Sequence, residues 1–479
     1  MSTHAFELVI RNALVATASD TFMSDIGINN GVIEQMGRRL GPGRREIDAA
    51  GRTVTPGGID SHCHLDQPMA PPTKMADDFD TGTRAAACGG TTMVIPFACQ
   101  FKGQSLKAAV ADYHQRANGK AHVDYAFHLI VSDPTPEVLN NELPELIAQG
   151  YSSFKIYMTY DDLKLNDGEI LSILDCAKQH NALVMVHAEN SDCIEWLTRK
   201  LEAAGKTAPR FHAQSRPMLV EREATHRAIA LSELIDVPIL LVHISGREAV
   251  EQIRWARGHG LNIFAETCPQ YLFLTADDLG IDDSYLGAKC VCSPPPRDKG
   301  NQSVIWDALA EGLFTVFSSD HAPFKYDSPQ GKKPDGKEVD FKYIPNGIPG
   351  IETRMPLLYS EGVLKGRITL NKFVELTSTN AAKAYGVHPR KGTIAIGADA
   401  DLVIWDHKPV EIKNSMLHHE PDYTPYEGME LLAWPGITIS AGEVVWDGTN
   451  FYPRKGQGRF IQCDAPTLLP RRVTASQRD

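Results

Sequence analysis

Eight short apolar runs recur through the middle of this 479-residue chain, with stretches of helical spacing between them. The runs are Thr53–Ile59, Thr91–Phe97, Asp124–Val131, Ser152–Met158, Ala182–Val186, Val237–Val242, Asn262–Glu266 and Phe314–Ser319. Most are continuously apolar, as strands covered on both faces must be. Segments such as Asp167–His180 and Glu221–Leu234 carry the helical period between them. Eight strands alternating with helices predict a parallel (β/α)8 barrel of TIM type rather than an open sheet.

The two ends have another texture. Residues 6–50 and 393–450 are short alternating runs broken by turns, among them Leu8-Val9-Ile10-Arg11-Asn12 and Val444-Val445-Trp446-Asp447-Gly448. Asn30-Gly31 is a hairpin-type turn signal. Both ends are expected to join in one small β-sandwich beside the barrel. The expected division is residues 1–55 and 393–460 for the sandwich, 56–392 for the barrel and 461–479 for a tail. The tail, polar and proline-bearing from about Cys463, is expected to be mobile or docked on a neighbouring subunit.

A net charge of −12 argues against a nucleic-acid partner, which needs basic patches. No apolar run approaches the roughly 18 residues of a membrane span, so no membrane role is expected. The first residues lack the basic and apolar regions of a signal peptide. The nine cysteines are scattered and form no C-x-x-C, so neither a disulfide framework nor a zinc ribbon is indicated. Cys290 and Cys292 read as buried thiols, and the cytoplasm is the expected compartment.

The chemistry sits where the runs end. His62-Cys63-His64 closes the first run, and because side chains alternate along a strand the two imidazoles share a face. A bare H-x-H pair suits a chelate and a pair of hydrogen-bonded histidines equally. Lys155 lies in the fourth run, while His187, His243 and Asp320 close the fifth, sixth and eighth. Active sites of such barrels form at the C-terminal strand ends, where these residues would converge. The bland alternative is satisfied core histidines with an aspartate on the rim.

Lys155, in Phe154-Lys155-Ile156-Tyr157-Met158, places a cation in an apolar strand, where its burial is costly. Either its tip reaches the barrel mouth and pairs with Asp320, or its amine is neutral and captures CO₂ as an N6-carboxylysine. That carbamate has two oxygens and would bridge two divalent ions. One ion would be held by His62, His64, Lys155 and Asp320, the other by Lys155, His187 and His243. These donors suit zinc, with manganese, cobalt or nickel as substitutes. Two ions about 3.5–4 Å apart acidify a shared water and polarise a carbonyl, which is apparatus for amide or ester hydrolysis by a bridging hydroxide. Asp320 would carry the proton to the leaving nitrogen. Tyr160 either donates to the developing oxyanion or packs on a loop.

The motifs Pro56-Gly57-Gly58-Ile59-Asp60, Asp78-Phe79-Asp80-Thr81-Gly82-Thr83-Arg84, Gly89-Gly90-Thr91-Thr92, Ser153-Phe154-Lys155, Val186-His187-Ala188-Glu189, Glu266-Thr267-Cys268-Pro269-Gln270-Tyr271-Leu272, Ser293-Pro294-Pro295, Ser319-Asp320-His321 and Ile344-Pro345-Asn346-Gly347 run over nearly the whole chain. Together they resemble the D-hydantoinase/dihydropyrimidinase family, cyclic amidases of the amidohydrolase superfamily. The resemblance implies opening of a five- or six-membered cyclic imide or ureide to an N-carbamoyl amino acid. It matches Tyr160 to the family's oxyanion-contacting tyrosine, and Ser293 and Asn346 to positions whose backbone holds the ring's amide edge. It also implies a homotetramer.

Two departures stand out. Asp66 occupies the place of an arginine that grips the carboxylate in dihydroorotate-opening relatives, and an acid there is expected to repel that substrate. Pro96 stands where the family often has aspartate. Residues 65–75, 97–103 and 157–167 correspond to loops that shape the pocket for the exocyclic group. Alternatives of the same machinery are allantoinase and cyclic imide hydrolase. A non-catalytic scaffold of the same fold would have lost its ligands, whereas here every ligand position is filled.

Overall fold

A computed structural model describes residues 5–468 of the chain. The amino-terminal strands are β1 (Phe6–Ala16), β2 (Thr21–Asn29), β3 (Val32–Gly37), β4 (Gly43–Asp48) and β5 (Thr53–Pro56). The barrel strands are β6 (Gly58–Cys63), β7 (Thr91–Cys99), β8 (Asp124–Tyr125), β9 (His128–Ile130), β10 (Ser153–Tyr157), β11 (Leu183–His187), β12 (Ile239–Leu241), β13 (Ile263–Thr267) and β14 (Val316–Phe317). Five strands follow: β15 (Leu402–Asp406), a small ribbon of β16 (Val410–Glu411) and β17 (Glu430–Leu431), then β18 (Trp434–Ser440) and β19 (Glu443–Trp446).

The parallel sheet runs β14-β13-β12-β11-β10-β9-β7-β6, with β8 beside β7. Just beyond β14, a parallel bridge between Cys63 and His321 joins the two edges, and the His64 amide donates to the His321 carbonyl at 2.7 Å. The expected eight-stranded barrel is therefore present. Its strands obey the period of two: on β11, Leu183 and Met185 pack inside with β7 residues Met93, Ile95 and Phe97, while Val184 and Val186 join the outer core under the helices. The helices Asp167–His180 and Met218–Ile235 cover this outer face. The first begins at Asn166 in a capping box with Glu169 and ends at Asn181 in the left-handed region.

The continuous run Thr53–Ile59 is not one strand. Thr53–Pro56 pairs with β1 and β15 in the outer sheet, and only Gly58–Cys63 belongs to the barrel. The break falls at Gly57, where a Cβ would lie 2.1 Å from Thr92 Oγ1, so this backbone passes too close to β7 for any side chain. Asp124–Val131 likewise divides into β8 and β9.

Both chain ends share one sheet, ordered β19-β18-β15-β5-β1-β2-β3 with β4 beside β1. The register slips between Ile10 and Ala13, so the first part of β1 pairs with β4 and the last part with β5. This bend lets the sheet enclose its own core of Leu8, Ile10, Val54, Leu402 and Ile439. Asn30 and Gly31, both at positive φ, turn β2 into β3 as the hairpin signal predicts. The described part of the tail is docked on its own barrel: the amides of Cys463, Asp464 and Thr467 donate to the carbonyls of Gly150, Gly386 and Lys383. The expectation for the remaining tail lies outside the described residues.

Barrel and outer sheet are tied by a buried knot of charge. Lys391 Nζ lies 2.6 Å from Asp124 and from Asp401 and 2.9 Å from Asp399, and Arg459 also binds Asp124 and Asp399. Removing the lysine leaves three buried carboxylates with Arg459 on Asp124 and Asp399, Arg390 on Asp399 and, among the described residues, no cation on Asp401. Lys391→Met is expected to lower unfolding stability by about 3–5 kcal/mol, the usual consequence of stripping one partner from a buried ion cluster. Urea unfolding checks this, and a loss below about 1 kcal/mol would contradict it.

Candidate metal centre and active site

On β10 the inward-facing residues are Lys155 and Tyr157, and on β11 the inward series Leu183, Met185 ends in His187. His62, the last residue but one of β6, lies on the inner face, opposite to the outward Cys63 that ends the strand, and His64 follows. His243 and Asp320 lie just past β12 and β14. All six predicted ligand residues thus meet at the C-terminal mouth of the barrel, lining one cavity of about 450 Å³ with Tyr160, Ser293 and Asn346.

Asp320 Oδ1 lies 3.3 Å from His62 Nε2 and 3.5 Å from His64 Nε2, and the ligand atoms of these three all lie within 4.8 Å of one another. Opposite them, His187 Nδ1 and His243 Nε2 are 2.9 Å apart. Lys155 Nζ stands between the two groups, 3.4 Å from His62 Nε2, over the rings of Phe97 and Tyr157. Lys155 therefore does not pair with Asp320; no ion pair joins them among the described residues.

The far nitrogens of the imidazoles are committed elsewhere. His62 Nδ1 shares a 2.6 Å hydrogen bond with Glu266, His64 Nδ1 a 2.7 Å bond with Gln67, and His187 Nε2 a 2.8 Å bond with Glu189. Such partners fix the ring orientation and leave the other nitrogen facing the centre. Burial and then the charge of Lys155 push His62 well below its ordinary pKa, and burial followed by His187 does the same to His243. Neutral imidazole is the form that binds a metal. His243 Nδ1 is buried without a hydrogen-bond partner among the described residues. Two facing groups of imidazole nitrogen donors, one of them completed by a carboxylate, fit a pair of divalent ions.

Burial lowers Lys155 from 10.5 to about 8, with Glu266 and Asp320 opposing, and burial raises Glu266 to about 8. Asp320 is driven up by burial, but His62, His64 and Lys155 outweigh this and hold it below the ordinary carboxylate range. Beneath the site, Asp60 Oδ1 accepts from the amides of Ser319 and His62, pinning β6 to the segment that carries Asp320. Tyr160, His243 and Asp320 all have positive φ, at 70°, 38° and 49°. Backbone held in that region by the surrounding structure is common where side chains must be aimed. Arg216, which also binds Glu189, stacks over the Tyr160 ring.

Glu266, Glu189, Gln67 and Arg216 are functional neighbours that sequence reasoning misses. Glu266 and Glu189 stand inside two of the family-like motifs, and a carboxylate in an apolar strand, as Glu266 is, is the signal that could have found it. Asp66 requires a correction. It is not among the residues lining the cavity: its backbone is left-handed and its carboxylate binds Arg116 at 3.3 Å and Lys120 at 3.8 Å. It exerts no direct repulsion on a bound substrate. What the cavity offers a substrate carboxylate is the lack of any lysine or arginine in its lining other than Lys155.

A parallel barrel with histidines and an aspartate converging over a buried lysine at its mouth defines a metal-dependent hydrolase. The sequence profile of the amidohydrolase family matches residues 53–445. D-hydantoinases of Ralstonia pickettii and Geobacillus stearothermophilus are 44% and 46% identical to the chain; each match covers 95% of it, and 98% and 96% of the respective relatives. The crystal structure of dihydropyrimidinase from Brevibacillus agri superposes with a TM-score of 0.92 at 44% identity, covering 95% of this chain and 98% of that one. The chain belongs to the amidohydrolase family, and within it to the cyclic amidases of the D-hydantoinase/dihydropyrimidinase group.

Proposed function

We propose that the enzyme opens the ring of hydantoins and dihydropyrimidines to N-carbamoyl amino acids, with two divalent ions, zinc first, and with the D-hand preferred at a substituted carbon. The convergence of His62, His64 and Asp320 opposite His187 and His243, with Lys155 between them, carries this reading. His62, His64 and Asp320 would hold one ion and His187 and His243 the other, with carboxylated Lys155 as the shared anion. When bound, the ions polarise a ring carbonyl and acidify water.

The remaining chemistry falls to the chain. An Asp320 carboxylate oxygen accepts a proton from water and returns it to the ring nitrogen as that nitrogen leaves. The Tyr160 hydroxyl, beside Ser293 and Asn346, donates to the oxygen on which negative charge develops. The backbone at Ser293 and Asn346 meets the ring's amide edge. Much of the wall is apolar, with Pro68, Met69, Met75, Phe101, Leu163 and Phe324 suited to an apolar exocyclic group, while Asp161 and Asp162 add two carboxylates to it. All three predicted pocket loops contribute to it.

The test is a rate comparison across hydantoin, dihydrouracil, 5-substituted hydantoins of each hand, allantoin, succinimide and dihydroorotate, with metal analysis of the same preparation. Hydantoin or dihydrouracil is expected to exceed dihydroorotate in kcat/KM by at least about a hundredfold, since nothing in the lining pairs the extra carboxylate. Comparable rates for dihydroorotate would refute the substrate assignment, and a metal-free, inactive protein would favour a scaffold. Nine cysteines, none in a disulfide, support a reducing compartment such as the cytoplasm. The family resemblance supports a homotetramer, which light scattering tests.

A further inference from the structure

Lys332 lies in Gln330-Gly331-Lys332-Lys333-Pro334-Asp335-Gly336, a stretch that reads as solvated loop. Its side chain is nevertheless buried, at 0% exposure, and no carboxylate pairs with it among the described residues. Nζ donates to the carbonyls of Val291 at 2.8 Å and Pro345 at 2.6 Å, above the ring of Phe324. The Val291 carbonyl also accepts from the amide of Gly347 at 3.0 Å. The segments zipped together at this point carry Ser293, Asn346 and Gly347, all in the lining of the active-site cavity.

The lysine is itself firmly placed. Its amide donates to the Lys325 carbonyl at 2.9 Å, and its carbonyl accepts from the Tyr285 hydroxyl at 2.5 Å. Gly331 allows this return of the chain, because a Cβ there would lie 1.9 Å from the Lys325 oxygen. The same loop holds Phe324 in the cavity wall. It meets the Met75 segment through two bonds, from the amides of Lys74 and Ala76 to the carbonyls of Gln330 and Pro323. Two backbone segments of the pocket therefore meet on the Lys332 ammonium, and the loop that carries it is joined to a third, the Met75 segment.

Stability does not account for it. A buried ammonium without a counter-ion disfavours the folded state, and a methionine of similar length would fill the space without that penalty. Burial accordingly lowers this amine to about 7, opposed only by Cys292 and Cys290; His212, which donates to the Cys292 carbonyl, is the other titratable group facing it. We propose that Lys332 is a positioning residue for substrate: by drawing the Val291 and Pro345 carbonyls to one donor it sets the spacing of the two backbone segments that grip the ring's amide edge. The inference rests on the cyclic amide reading given above.

The experiment compares Lys332→Met and Lys332→Gln with the unaltered enzyme in kcat and KM for hydantoin, metal content and unfolding temperature. Lys332→Met is expected to keep its metal and unfold at or above the parent temperature. Its KM should rise about tenfold or more while kcat stays within about threefold, the signature of lost uniform binding. Lys332→Gln restores one donor and is expected to bring KM back to within about threefold of the parent. A Lys332→Met KM within about twofold of the parent overturns the proposal. So does loss of metal or of folding in both variants, which assigns Lys332 to the fold. Turnover of hydantoin or dihydrouracil by the unaltered enzyme is the separate control: its absence removes the substrate reading and this inference together. An active parent with an indifferent Lys332→Met removes the positioning role alone.

Discussion

Lys155→Ala is expected to abolish turnover of hydantoin by on the order of 10³-fold or more and to deplete the bound metal, while leaving the barrel folded. Loss of a residue that merely orients a ligand costs about 10–100-fold, and a group lying between both donor sets should cost more. The argument starts from burial. At 1% exposure, with aromatic faces on two sides and no carboxylate in contact, the ammonium form is disfavoured, and its pKa of about 8 leaves a useful share of free amine near neutrality. In the proposed reading that neutral amine would attack the carbon of CO₂: a nitrogen–carbon bond would form as one C–O π pair moves onto oxygen, one proton would leave the nitrogen, and a carbamate anion would stand where the ammonium form is a cation. The exchange would reverse the electrostatics of the site: the Lys155 charge, which lowers the pKa of His62, His187 and His243, would give way to an anionic oxygen pair. Deleting the side chain leaves space that a short carboxylic acid can enter, so acetate or propionate is expected to restore part of the activity and of the metal content. A Lys155→Ala enzyme that stays active and metal-replete would remove the bridging role.

The same residue shows how much chemistry is legible in the amino-acid sequence alone. A lysine in an unbroken apolar strand violates the ordinary partition of charge, and such violations survive where they do something. The strand-end histidines and Asp320 are legible for a related reason: the period of two and the barrel's polarity dictate where inward residues at C-terminal strand ends must meet. Patterning fails where two different surroundings look alike. Thr53–Pro56 and Gly58–Cys63 are equally apolar, so composition does not show that one belongs to the outer sheet and the other to the barrel; the close approach of Gly57 to Thr92 decides it. Asp66 misleads because matching the place of a substrate-gripping arginine in relatives says nothing of direction, and a left-handed backbone turns it to Arg116. Lys332 is invisible in the sequence because its burial is made by Tyr285, Val291, Phe324 and Pro345, none of them adjacent to it in the chain.

Asp320→Asn is expected to lower kcat about 10²–10⁴-fold, the range for a lost general acid–base group, while KM for hydantoin changes by less than about threefold. The substitution is unusually clean. Asp320 has φ of 49°, a conformation that asparagine tolerates nearly as well as aspartate, so no new strain is introduced. The backbone around it is held independently, by the Asp60 carboxylate accepting from Ser319, the Ser319 hydroxyl accepting from the His321 amide, and the His321 carbonyl accepting from His64. The amide oxygen still faces His62 and His64, so metal content should fall only in part. What disappears is the carboxylate that stays ionised near neutrality because His62, His64 and Lys155 outweigh its burial, and an amide cannot take up and hand on a proton at that position. Binding and chemistry thereby separate. Unchanged kcat in an Asp320→Asn enzyme of normal metal content would show that the proton reaches the leaving nitrogen by another route, with the cavity-facing hydroxyl of Tyr160 as the next group to test.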